Sequence, residues 1–280
     1  MSAIYADETA RTPFGAIRDH GLLRVEENTQ GRDFVVGDVH GQIRDLWNAM
    51  ASVAFDVSRD RLFCVGDLID RGPASRDCLE LTYEPWFYSV LGNHEDFFLG
   101  TFIEEDQRCA LNLIRNGGNW VLQEDEGDMK ALAADIAKMP LAIEVPFSGL
   151  RVGIIHAAVT SGHWGYFDLD ADVWNRRIAD KDTGAAHCED DLPPEARVSG
   201  IDAVVVGHNV IPGVRMLGNT LMLDTGSSRG GKLTLWAFDD VVEALAAHTR
   251  SGAVTSNFPV RPADPRIIQH TNTGSPRARG

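Results

Sequence analysis

Acids, imidazoles and one amide recur in this chain at one kind of place, directly after a short apolar run closed by glycine. Gly37-Asp38-Val39-His40-Gly41 follows Phe34–Val36. Asp38 and His40 lie two residues apart, so in extended backbone both side chains point to one side, and carboxylate beside imidazole is a metal-ligand pairing. Gly66-Asp67-Leu68-Ile69-Asp70-Arg71-Gly72-Pro73 follows Leu62–Val65, with Asp67 in the place that Asp38 takes after its own run. Asp70 or Ser75 could cap a following helix, but that leaves unexplained an arginine pressed against two acids in a tight turn. Gly92-Asn93-His94-Glu95 follows Trp86–Leu91, His156 ends Gly153-Ile154-Ile155, and His208 ends Val204-Val205-Val206-Gly207. A lone histidine after an apolar strand is more often structural than a ligand. Five strand ends that each release Asp, His or Asn are another matter. Ligands of open α/β sheets gather outside the carboxyl ends of the strands, so the joint pattern reads as a binuclear metal site at one sheet edge.

Those strand ends need a sheet to align them. Leu46, Trp47, Met50 and Val53 recur at helical spacing after the first strand. Helices are expected over residues 94–103, 108–123 and 128–139, the last closed by Pro140. After Leu141–Val145 the pattern turns β-rich, with strands expected at Val152–Ile155, Ala203–Val206, Val214–Leu217, Thr220–Leu223 and Lys232–Phe238. Strand then helix in the first half and mostly strands in the second predict an α/β fold: a double, mixed β-sheet sandwich flanked by helices. Residues 32–250 are expected to form one catalytic domain, and residues 1–31 a polar N-terminal extension. Residues 251–280, with four prolines and with Arg261, Arg266, Arg277 and Arg279 against Asp264, read as a flexible basic tail.

Composition narrows the function. The 280 residues carry 41 acids and 26 Lys or Arg, a net charge of −15, which argues against a broad grip on a nucleic-acid backbone. Hydrophobic (44%) and charged (24%) fractions are those of a folded domain rather than a disordered chain. No apolar run approaches the ~18 residues of a membrane span, and the first residues lack the apolar core of a signal peptide. Four cysteines without a CxxC pair suit a reducing cytoplasm. Asp224-Thr225-Gly226 occurs once, whereas an aspartic protease needs two carboxylates sharing a proton, so it reads as a turn beside the site. His187-Cys188-Glu189-Asp190-Asp191 reads as a solvated acidic loop. His163, Trp164 and Tyr166 read as a wall on the substrate side.

The order GDVHG, GDLIDRGP, GNHE, strand-end His and GH resembles the calcineurin-like metallophosphoesterases, and within them the serine/threonine protein phosphatase branch in its compact phage form. Asn116-Gly117-Gly118 before Trp120, Trp174-Asn175-Arg176 and Asp224-Thr225-Gly226 match as well, and the likeness covers residues 32–240. His208 is followed by Asn209 where the family has Thr.

The resemblance implies that Asp38, His40 and Asp67 bind one divalent ion and that Asp67, Asn93, His156 and His208 bind a second. Mn²⁺ is favoured, with Fe or Zn²⁺ also compatible with oxygen and imidazole ligands. It implies direct attack of a metal-bound hydroxide on phosphorus, His94 as the general acid oriented by Asp70, and Arg71 and Arg176 as phosphate clamps; Arg177 is the alternative to Arg176. Two ions against two carboxylates leave about +2 in the pocket, which attracts a phosphate dianion on an acidic protein. The implied substrates are phosphoserine and phosphothreonine in phosphoproteins or phosphopeptides, with phosphotyrosine besides. The alternative is a diadenosine tetraphosphate hydrolase, for which the aromatic loop at 163–166 would stack an adenine.

Overall fold

A computed structural model describes residues 21–176, 196–253 and 255–259, together with the backbone of two short strands at 10–11 and 17–18. His187–Asp191, Arg177 and the four tail arginines lie outside the described residues. In chain order the elements are β1 (Leu22–Arg24), β2 (Asp33–Val36), α1 (Ile43–Ser52), β3 (Arg61–Cys64), α2 (Ser75–Glu80), β4 (Phe87–Ser89), α3 (Asn93–Phe102), α4 (Gln107–Arg115) and α5 (Glu126–Ile136). There follow β5 (Ala142–Phe147), β6 (Leu150–Ile155), α6 (Leu169–Trp174), β7 (Ala203–Val206), β8 (Val214–Leu217), β9 (Thr220–Met222), β10 (Leu235–Ala237), α7 (Phe238–Ser251) and β11 (Thr255–Phe258).

Alternation along the strands builds two mixed sheets and three apolar layers. Four strands in the order β10-β2-β3-β4 form one sheet, and seven in the order β11-β8-β9-β7-β6-β5-β1 form the other. Val35, Phe63 and Val65 on the first sheet meet Ile143, Val145, Val152, Ile154 and Val205 on the second, so one face of each is buried between them. The residues one step away, Phe34, Val36, Leu62 and Cys64, point outward and are covered by Leu46, Met50 and the apolar faces of α2 to α5. Val204 and Val206 face the opposite outer layer with Trp164, Val198 and Ile201. Period-two alternation with both faces apolar is what a strand covered on both sides requires.

The parallel register decides where the chemistry emerges. Val36 pairs with Cys64 and Cys64 with Ser89, so β2, β3 and β4 end level. In the larger sheet β6 and β7 run parallel, with Val152 opposite Ala203. Their carboxyl ends release His156 and His208 towards the same edge.

Three expectations need correction. The helix expected over 108–123 stops at Arg115, and a 3₁₀ turn, Asn119–Gln123, follows. Gly117, with φ +101°, and Gly118 break it. The helix α7 went unread behind the last strand, yet Phe238, Val241, Ala244 and His248 bury one face of it, and Asp240 accepts the Ala237 N–H at 3.1 Å as its cap. The larger sheet also outruns residues 32–250: β1 pairs with β5, and β11 with β8. Strands of three and four residues at a sheet edge, one of them Thr-Ser-Asn-Phe, carry too little alternation to register as strands.

Candidate active site

The loops after β2 and β3 are bonded to each other before any side chain takes part. Val39 and His40 N–H both donate to Asp67 C=O, at 3.1 and 2.8 Å, and Gly41 N–H donates to Leu68 C=O at 2.8 Å. Backbone strain collects here: His40, Asp67, Asp70, Arg71 and His208 all have φ between +46° and +71°, and each such non-glycine residue costs of order 1 kcal/mol. Glu95 holds the strained turn. It is fully buried, and its carboxylate accepts N–H bonds from Asp67 (2.9 Å), Leu68 (2.8 Å), Ile69 (3.3 Å) and Gly92 (2.9 Å). Close approach also dictates Gly207, where a Cβ would collide with the Asp38 carboxylate.

All six sequence-derived ligand candidates converge and are buried. His156 Nδ1 donates to Val65 C=O at 2.7 Å, which turns the Nε2 lone pair inward to within 3.1 Å of Asn93 Oδ1, 3.2 Å of His208 Nδ1 and 3.4 Å of Asp67 Oδ1. His208 Nδ1 lies 2.8 Å from Asn93 Oδ1. Four lone-pair atoms facing one another with almost no proton to share is a donor set for a cation. On the other side of Asp67, His40 Nδ1 donates to Ile69 C=O at 2.8 Å, and its Nε2 faces Asp67 Oδ2 at 3.5 Å and Asp38 Oδ2 at 3.9 Å. Asp67 therefore stands between two clusters, His40–Asp67–His94 and Asp67–His156–His208. His94 joins the first more closely than the sequence reading had it.

Electrostatics agree with a cation site. Burial pushes the His40 pKa down to about 3, and burial with His156 nearby pushes His208 to about 2, so both rings stay neutral with a lone pair available. Asp38 is raised well above the usual carboxylate range, first by burial and then by Asp224 and Asp67, and Asp224 is raised as well. Three buried carboxylates faced by one guanidinium, that of Arg71, call for further positive charge. Asp67 itself is lowered: burial opposes its ionisation, but His156, His94, His40 and His208 outweigh burial.

His94 and Asp70 form a separate pair. His94 Nδ1 lies 2.6 Å from Asp70 Oδ2, and Asp70 Oδ1 accepts from Trp120 Nε1 at 2.8 Å. The broken helix is what delivers this contact, because the Gly117–Gly118 turn sets Trp120 over Asp70 and offers Gly117 C=O to Arg71 N–H at 3.1 Å. Burial disfavours the charged imidazolium, yet Asp67 and the bond to Asp70 prevail and the His94 pKa is raised. Arg71 donates from Nη2 to His94 Nε2 at 2.8 Å and from Nη1 to His40 Nε2.

An open cavity of about 270 Å³ covers these groups, lined by Asp67, Arg71, Asn93, Arg176, His208, Asn209, Val210 and Arg229. The model for the calcineurin-like phosphoesterases matches residues 34–212, the span that supplies every one of these groups except Arg229. The chain belongs to the calcineurin-like phosphoesterases. It is 31% identical over 210 residues to serine/threonine-protein phosphatase 2 of Salmonella typhimurium, covering 72% of this chain and 91% of that protein. The symmetrical bis(5'-nucleosyl)-tetraphosphatase of Serratia proteamaculans is 41% identical, but over 71 residues and 25% of either chain. A solved structure assigned provisionally as a diadenosine tetraphosphatase superposes with TM-score 0.57 and 25% identity over 78% of this chain and 94% of that one. Members of the family use divalent metals, and the two clusters around Asp67 could hold such ions.

Several residues of this phosphoesterase escaped the sequence reading. Glu95 was visible three residues after the strand-closing Gly92, the spacing of a helix cap, but nothing in the sequence said that it also holds the Asp67 turn. Asp172, fully buried in α6, accepts Thr160 N–H and Oγ–H at 2.8 and 2.6 Å and offers its own C=O to Ala157 and Ala158, bracing the loop after His156. Asn209 donates to Asn175 C=O at 3.1 Å, tying the His208 loop to the residue before Arg176. Asp224 accepts Gly226 N–H at 2.9 Å, in keeping with a turn beside the site. The aromatic loop is corrected. Trp164 is buried in the outer layer, bonded to Glu144 Oε2 at 2.7 Å and packed on Phe167, and neither it nor His163 nor Tyr166 lines the cavity. Gly153 opposite the indole ring leaves room for it, and filling that space outweighs placing it near substrate.

Proposed function

We propose that this phosphoesterase is a metal-dependent protein phosphatase that hydrolyses phosphoserine and phosphothreonine, with phosphotyrosine as a further substrate. The observation that supports the reading over a dinucleoside tetraphosphatase is the lining of the cavity, which among the described residues is polar and cationic and contains no Phe, Tyr or Trp side chain to stack a base. The likeness to a named serine/threonine phosphatase over 91% of its length supports the same reading.

Asp38, His40 and Asp67 would hold one divalent cation, and Asp67, Asn93, His156 and His208 the other, with Mn²⁺ the ion of first choice. When bound, such a pair polarises the phosphoryl group and makes water acidic enough to attack near neutral pH. Arg71 and Arg176 grip the phosphoryl oxygens, to which a guanidinium fork is matched. Phosphate competes for the Arg71 guanidinium, and its departure from His94 Nε2 leaves that atom free to carry a proton. Water oxygen bonds to phosphorus, the ester P–O bond breaks, and His94 gives its proton to the departing oxygen while Asp70 keeps the ring in place. One water proton stays on the phosphate and the other passes to solvent, from which His94 is reprotonated. The products are inorganic phosphate and the alcohol.

The test is metal-stripped protein, reconstituted with Mn²⁺ and offered phosphoserine peptides and diadenosine tetraphosphate side by side. Turnover of the peptides is expected, and turnover of the dinucleotide alone overturns the reading. The substitution Asp67→Asn in the same assay is expected to abolish activity and lower metal content while the fold survives, because Asp67 belongs to both clusters.

A further inference from the structure

Acids outnumber bases by 15 on this chain, and many arginines accordingly hold a carboxylate, as Arg32 does Asp60, Arg61 does Asp33 and Arg76 does Glu124. Three that hold none among the described residues, Arg71, Arg176 and Arg229, line the same cavity. The proposed reaction uses the first two. Arg229 is exposed at the rim beside the exposed Val210, and it has no ion pair or side-chain hydrogen bond among the described residues.

The backbone that carries Arg229 is rigid and tied to the site. Ser227 Oγ donates to Asp38 C=O at 2.7 Å, and Gly226 N–H donates to Asp224 Oδ1 at 2.9 Å. Arg229 and Gly231 N–H both return to Gly226 C=O at 2.9 Å, and left-handed Gly226 and Gly230 bound the turn. Such a mount fixes where the Arg229 side chain leaves the backbone at the cavity rim, while the exposed side chain still gives up rotamer entropy when it engages a ligand. Its guanidinium also exceeds what one phosphoryl group can use, because three peripheral oxygens already face two guanidinium forks and the cation site.

We infer that Arg229 is a specificity residue that reads a second anionic group on the substrate, a side-chain carboxylate within one or two residues of the phosphorylated side chain. The inference rests on the protein phosphatase reading and deepens it to acidic phosphopeptides. Net charge makes the surface as a whole repel such peptides, so the preference must be local to the cavity.

The experiment uses the Mn²⁺-loaded full chain with phosphoserine peptides that are identical except for Glu or Gln flanking the phosphoserine, and with a small aryl phosphate. Wild type is expected to favour the Glu peptide about 2- to 5-fold in kcat/KM at low salt, the range of a partly exposed charge pair, and less at high salt. Arg229→Glu is expected to reverse the preference and to lower kcat/KM on the aryl phosphate, which has no second anion, less than on the Glu peptide. Equal turnover of the two peptides by wild type, or an unchanged preference in Arg229→Glu, overturns the inference and leaves the protein phosphatase reading standing. A substitution that lowers only diadenosine tetraphosphate turnover assigns Arg229 to a polyphosphate and overturns it too. If no peptide is hydrolysed at all, the broader reading fails and this one with it.

Discussion

Replacing Glu95 by Gln changes one atom type in the fold and tests whether the site stands on its backbone. Each Glu95 oxygen serves two donors: Oε2 takes Asp67 and Gly92 N–H at 2.9 Å, and Oε1 takes Leu68 at 2.8 and Ile69 at 3.3 Å. Glutamine keeps one acceptor oxygen and points an NH₂ group at the other pair. Two buried N–H groups then lose their acceptor, at about 1–3 kcal/mol each, so the loss of stability is expected to be about 2–6 kcal/mol. Total stabilities of about 5–15 kcal/mol leave most of that range folded. Burial and the charge on Asp67 push the Glu95 pKa to about 7, so the comparison belongs at about pH 8, where the carboxylate is ionised. Denaturant unfolding of metal-free protein reads the loss as a lower midpoint at constant slope. Titration with Mn²⁺ should show weaker binding, because the turn that relaxes carries Asp67 at φ +53°. A loss under about 1 kcal/mol with unaltered Mn²⁺ affinity would refute the reasoning.

Three further outcomes follow from particular contacts. His94→Asn should lower kcat about 10²- to 10⁴-fold on a phosphoserine peptide and less on an aryl phosphate with a good leaving group; because the acid form is needed and its pKa is raised, wild-type kcat should fall as pH climbs through that raised value, and the variant's pH profile should lack this limb. Asn209→Ala removes the 3.1 Å bond to Asn175 C=O and should raise KM about 5- to 30-fold by loosening Arg176, an effect that disappears in an Arg176→Ala background when the four proteins are compared as a cycle. Ending the chain after residue 259 should spare aryl phosphate hydrolysis, whereas ending it after residue 250 strips β11 from β8 and should lower the unfolding midpoint.

The kinds and order of the site groups were legible in the sequence because covalent neighbourhood decides them. A strand closed by glycine at Gly37, Gly66, Gly92 or Gly207 hands the next residues to the sheet edge whatever the rest of the fold does, and apolar runs such as Ala203–Val206 announce strands covered on both faces. Short local patterns also misled, because the energy that decides them is not local. Asn116–Gly118 interrupts what periodicity reads as one helix, since two glycines there put Trp120 on Asp70. Trp164 is core because Gly153, 11 residues away and on another element, leaves room for its ring. The placing of Asp67 between two clusters depends on the level register of β2, β3 and β4, and a register is a property of pairs of strands. Glu95 reaching three N–H groups of another loop, Asn209 joining the His208 and Arg176 segments, and Arg229 arriving at the cavity from a turn more than 130 residues after Asn93 are contacts between segments far apart in the chain. The residue types were written in the chain. Their meeting required the closed sandwich, where burial removes water and leaves these groups only each other as partners.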